Sequence, residues 1–156
     1  MLEGFVSILL YPWKKLRWLI LVLIVIVAAL LLLAWHTQPE KFILHWAGSN
    51  QAYTLEAVKS PAEKQKGLGG TASMPQQEGM IFLSDISSSQ CFWMKDMQFP
   101  IDIIWVNSDK KVSYIENNVQ PKSYPKLFCH NAKNVIELNA GEAARNNLKV
   151  NQTVSF

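Results

Sequence analysis

The chain has 156 residues, 17% charged and 49% hydrophobic, with a net charge of +3 at pH 7. That length suffices for about one folded domain. The positive surplus is too small and too scattered to neutralise a phosphate backbone, so no nucleic-acid partner is expected.

Residues 1–17 read as a cytoplasmic or interfacial tail. Leu2, Phe5, Val6 and Leu9 recur at helical spacing ahead of Pro12, a pattern that suits either a short helix lying in the membrane interface or a frayed apolar tail. Residues 18–36 form the expected transmembrane helix. Leu19 to Trp35 is an uninterrupted run of 17 apolar residues, about 26 Å as a helix, which is near the lower limit for crossing a hydrocarbon core. Trp13 and Trp18 on one side and Trp35 on the other suit the headgroup region, and Lys14, Lys15 and Arg17 precede the run. Retention of cations on the cytoplasmic side predicts an internal N-terminus and an extracytoplasmic C-terminal domain in the plasma membrane. A cleaved signal peptide would have a shorter apolar run and small residues at its cleavage site. This chain instead has Ala34-Trp35-His36-Thr37 there.

Residues 37–52 are expected to hold a linker and a first strand, and residues 53–156 the β domain. Lys41 to Trp46 and Ala52 to Val58 flank Ala47-Gly48-Ser49-Asn50-Gln51, which predicts a hairpin. Ser60-Pro61-Ala62-Glu63 is a capping box with proline at the first helical position, and Gly67 closes that short helix. A loop over 68–78 precedes strands predicted at 79–83, 90–97, 101–106 and 111–119. Residues 120–134, with Pro121 and Pro125, read as a long loop. A strand over 135–140, a short helix over 142–147 and a closing strand over 152–156 complete the chain. Seven or eight short strands with one or two short helices predict an all-β fold, a sandwich or small barrel.

Four stretches carry a resemblance. They are EAVKSPAEKQKGL from Glu56 to Leu68, EGMIF from Glu78 to Phe82, CFWMKDMQFPIDIIWV from Cys91 to Val106, and IELNAG from Ile136 to Gly141. In this order and spacing they resemble the bacterial and archaeal family called domain of unknown function 192, over about Tyr53 to Phe156. The resemblance implies a compact jelly-roll-like β fold, often exported, without an established activity. Where the family usually places a basic residue shortly after the Gly67-Leu68 pair, this chain has Thr71.

Strand alternation sorts the polar residues by face. Trp93 and Lys95 share a face with Cys91. Asp102 shares one with Ile104 and Val106, where a carboxylate must find a donor or stay neutral. Glu137 and Asn139 lie opposite Ile136 and Leu138. An aromatic floor with a few convergent polar groups is the make-up of a ligand cleft, so Trp93, Lys95, Asp102, Glu137 and Asn139 are the expected cleft residues. The plainer alternative gives Asp102 a structural role, capping the turn at Phe99-Pro100 or pairing with Lys95. No catalytic or metal-ligand pattern stands out, and no cofactor is expected. Cys91 and Cys129, in an exported domain, are expected to form a disulfide.

Together these features predict a single-pass protein, anchored in the bilayer through Leu19 to Trp35, that binds a small molecule, a saccharide or a protein at the cell envelope. A glycan hydrolase using Asp102 and Glu137 is the alternative, and a structural partner of another membrane protein is a second.

Overall fold

The computed structural model of the protein describes residues 3–36 and 39–156. They fall into two units, Met1–Gln38 and Pro39–Phe156. The first two residues of the expected linker, Thr37-Gln38, and the side chains of the 1–12 tail, of Lys14 and of His36 lie outside what is described.

The first unit is one helix, α1 (Glu3–His36), whose helical backbone continues past Pro12. From Lys15 to Trp35 every side chain is exposed. That stretch of 21 residues is long and apolar enough to cross a membrane, a property it shares with signal sequences.

The second unit is mostly β, with a sheet that curls into half a barrel and a few short helices. Its elements are β1 (Lys41–Trp46), β2 (Tyr53–Val58), α2 (Pro61–Lys66), β3 (Glu78–Phe82), β4 (Ser88–Phe92), β5 (Ile101–Val106), β6 (Val112–Val119), β7 (Phe128–Ala132), β8 (Asn134–Asn139), α3 (Glu142–Arg145) and β9 (Val154–Ser155). Seven strands form one sheet in the order β6-β5-β8-β3-β2-β1-β9, and β4 pairs with β7 in a separate ribbon. All pairs are antiparallel except β2 with β3.

Local chemistry explains the elements. Gly48 takes a positive φ of 86° in the β1–β2 turn, a conformation that glycine adopts without a Cβ clash. The Ser60 hydroxyl accepts from the Glu63 amide while the Glu63 carboxylate accepts from the Ser60 amide, so both ends of the predicted capping box are made. β5 is buried at all six positions, as befits an apolar strand covered on both faces.

The sheet has two packed faces. One gathers Leu44, Leu55, Ile81, Ile104, Ile136 and Leu138 with Ala143 and Leu148 from the α3 region. The other gathers Phe82, Ile101, Ile103, Trp105 and Val135 with Met94 and Phe128. The β4–β7 ribbon lies over this second face. Phe92 meets Phe82 and Trp105 edge-on at 4.8 and 6.0 Å, and the Trp105 indole donates to the Gln90 carbonyl at 2.9 Å.

Two expectations need correction. The strand expected over 90–97 stops at Phe92, because the chain turns at Met94–Met97 and Asp96 adopts a positive φ of 59°. The long loop expected over 120–134 contains β7, whose Phe128 and Ala132 are buried against the sheet.

Candidate functional site

A pocket of about 400 Å³ opens between the second face of the sheet and the end of the ribbon. Its apolar wall includes Leu68, Phe82, Phe92, Trp93, Met97 and Leu127, and Lys64, Lys66 and Lys95 also line it. All three lysines are exposed, and the Lys64 ammonium donates to the Leu83 carbonyl. Glu137 is the only acidic residue in the lining.

Glu137 reaches the pocket from β8, where its register partners are Met80 on β3 and Ile103 on β5. It is 5% exposed, and its Oε2 is buried without a hydrogen-bond partner. Burial alone pushes its carboxyl up to about 8, so it is largely protonated at neutral pH and can donate as well as accept. Gly79 sets the backbone that carries it. A Cβ at Gly79 would stand 2.6 Å from the Glu137 carbonyl and 2.7 Å from Leu55 and Leu138 side-chain carbons. Only glycine lets β3 and β8 approach this closely.

The structure brings Trp93, Lys95 and Glu137 to this one pocket. It places Asp102 and Asn139 elsewhere. Asp102 is fully buried on the first face. Its Oδ1 accepts from the amides of Asn118 at 2.8 Å and Gly141 at 3.0 Å, and its Oδ2 from the amide of Ala143 at 2.9 Å. Three backbone donors satisfy the carboxylate, which clasps the start of α3 and a register shift in the β5–β6 pair. Gly141 gives its amide from a positive φ of 84°. Asp102 is thus held by backbone amides and makes neither the cap on the Phe99-Pro100 turn nor the pair with Lys95 that the plainer alternative expected. Asn139 donates to the carbonyls of Met74 and Pro75, both at 3.0 Å, and so pins the loop before β3.

The carboxylate pair considered for glycan hydrolysis is corrected by the same geometry. In the β5–β8 register Asp102 faces Leu138 and Ile103 faces Glu137. The two acids therefore project from opposite faces of the sheet and cannot flank one bond. Cys91 and Cys129 are register partners on β4 and β7 and are joined by a disulfide. Both are exposed, and Cys91 borders the pocket.

Sequence reasoning missed the apolar wall beyond Trp93 and the lysines of α2. One signal was available. Joining Cys91 to Cys129 in the sequence already draws Leu127 toward Trp93.

A mostly-β fold with a curled sheet and a ribbon laid over one face defines the structural class. The chain belongs to the domain of unknown function 192 family, described as "Uncharacterized ACR", whose family model matches residues 43–156. It is similar to a protein of unknown function from Novosphingobium aromaticivorans, at 28% identity and a TM-score of 0.69, covering 77% of this chain and 88% of that one. A second similar structure, from Sinorhizobium meliloti, is of a protein proposed to be a transcription regulator. At 22% identity and a TM-score of 0.70, covering 76% and 95%, it supports the fold alone. A comparison with curated proteins finds no match.

Proposed function

We propose that this protein is a membrane-tethered, extracytoplasmic binding module whose β domain takes a small molecule in the pocket between sheet and ribbon. One observation carries the reading. Glu137 holds a buried, unpartnered carboxyl oxygen at an apolar pocket, and such a group costs stability unless something is gained by keeping it there. Ligand sites are the usual place for that expense, since they hold polar groups ready for a partner absent from the free protein. The tether reading rests on the membrane-length stretch Lys15–Trp35 and on Lys14, Lys15 and Arg17, which precede its uncharged run from Leu19 to Trp35. The exposed Cys91–Cys129 bridge suits an oxidising compartment.

The pocket is tested by a fragment screen on the full chain in lipid nanodiscs, read by protein-detected NMR. Shifts are expected to concentrate at Phe92, Trp93, Leu127 and Glu137. Hits confined to other surfaces would end the reading. The tether is tested separately by fusing, after Phe156, a reporter active only outside the cytoplasm. Activity is expected, and its absence from a stably expressed fusion would reverse the topology.

A further inference from the structure

We infer that the pocket selects a small organic anion, with an apolar body, an anionic group at the lysine side and a neutral hydrogen-bond acceptor turned to Glu137. This rests on the binding reading above and names its ligand class.

Charge complementarity makes the choice. An orphan buried carboxyl can be satisfied in two ways, by a cationic ligand that pairs with its ionised form or by an acceptor that takes its proton. The surroundings separate the two. Lys64, Lys66 and Lys95 line the pocket, and no acid but Glu137 does. With Glu137 neutral the lining carries three positive charges, which attract an anion and oppose an amine. Lys64 is already engaged by the Leu83 carbonyl, leaving Lys66 and Lys95 as the ammonium groups best free to turn toward a ligand. Lys95 follows the buried Met94, which fixes the backbone from which it extends. Phe82, Phe92, Trp93 and Leu127 share the lining, and they suit an aromatic or branched aliphatic body better than a polyhydroxylated one. A free saccharide therefore fits this lining poorly.

The test uses three water-soluble probes of matched shape on the full chain in nanodiscs, by calorimetry with empty nanodiscs subtracted. These are 4-acetylbenzoate, 4-acetylbenzylamine and 4-isopropylbenzoate, which keeps the anion but lacks the carbonyl. The acetyl anion is expected to bind at least about tenfold more tightly than either other probe, the size of one desolvated hydrogen bond or charge contact. The Lys66→Glu/Lys95→Glu variant should lose the preference for the anion over the amine. Glu137→Leu should lose the preference for the acetyl over the isopropyl probe, and Glu137→Gln, whose amide still donates, should keep it. Tighter binding of the amine, abolished in Glu137→Leu, would overturn the anion while leaving the pocket intact. Equal binding of all three, or of none, would overturn the ligand class. The fragment screen decides independently whether the pocket binds at all.

Discussion

Glu137 and Asp102 sit one register step apart on neighbouring strands and live under opposite physics. Asp102 is buried with three amide donors, whereas Glu137 has a buried oxygen with none. Asp102→Asn removes the anionic acceptor and turns an amide donor toward backbone N–H groups. It should cost about 3 kcal/mol in denaturant unfolding, the size expected for breaking a buried charged hydrogen-bond set. Lys95→Met should be close to neutral and should give no rescue in the double variant, because the two side chains are not partners. Glu137→Leu should instead stabilise the fold by about 1–3 kcal/mol, since it removes a buried polar group lacking a partner. The pH dependence follows from the raised carboxyl. The unfolded chain releases this proton near the ordinary carboxylate value of 4.5, but the folded chain holds it to about 8. Stability from this group is therefore fully present below about 4.5 and is lost progressively as pH rises through about 8. Glu142 works in the other direction. Burial raises its carboxyl, but hydrogen bonds from Tyr53, Arg145 and Asn146 outweigh this and hold it below the usual range. Its contribution is present above the unfolded value and is lost as pH falls. Subtracting the unfolding profile of Glu137→Gln from that of the wild type isolates the Glu137 limb between about pH 4.5 and 8. A flat difference there would refute the assignment.

Among the elements, the β4–β7 ribbon is the one on which the pocket depends. It lies outside the ladder of the seven-stranded sheet and is held by Phe92, Phe128, the Trp105 indole and the Cys91–Cys129 bridge. Replacing both cysteines by serine should lower stability by about 4 kcal/mol on the chain-entropy account of a loop with a sequence separation of 38. Chemical shifts at Phe92 and Trp93 should move more than those on β1 and β2. This element was also the hardest to read in the sequence. β5 was legible because five apolar residues in six positions, broken only by Asp102, describe a strand covered on both faces. α2 was legible because a capping box is a local device. β7 was not, because Phe128-Cys129-His130-Asn131-Ala132 follows two prolines and has little apolar alternation of its own. It becomes a strand through pairing with β4, which no local pattern announces. The same limit explains the candidate cleft. Alternation within each strand could not relate the faces of β5 and β8, so Asp102 and Glu137 were expected in one cleft although the register sets them on opposite faces. It also could not say that the face of Glu137 is roofed by a ribbon. Nor could it show that the donors for Asp102 are amides at Asn118, Gly141 and Ala143.

At the scale of the whole molecule, the sheet order has a consequence in time. β8 lies between β5 and β3, yet it follows both in the chain. Until Asn134–Asn139 is available, β5–β6 is an isolated hairpin and β1–β2–β3 a separate fragment, each with an unpaired edge. At roughly 5–20 residues per second during synthesis, those edges wait for seconds before the strand that joins them emerges. Closure of the sheet is then a single late event between segments far apart in sequence, which places refolding in the millisecond-to-second range rather than the microsecond range of local folds. Ile136→Val, a one-methylene change at a fully buried position of β8, should accordingly slow refolding more than it speeds unfolding. A change at Leu44, on the early hairpin, should show the smaller effect on refolding. Stopped-flow refolding of the two variants would tell them apart. The late strand is also the one that carries Glu137, so the pocket acquires its carboxyl in the same step that joins the two halves of the sheet, with only the short edge strand β9 to follow in the chain. A ligand that requires Glu137 therefore meets only chains in which β8 has already joined the two halves of the sheet.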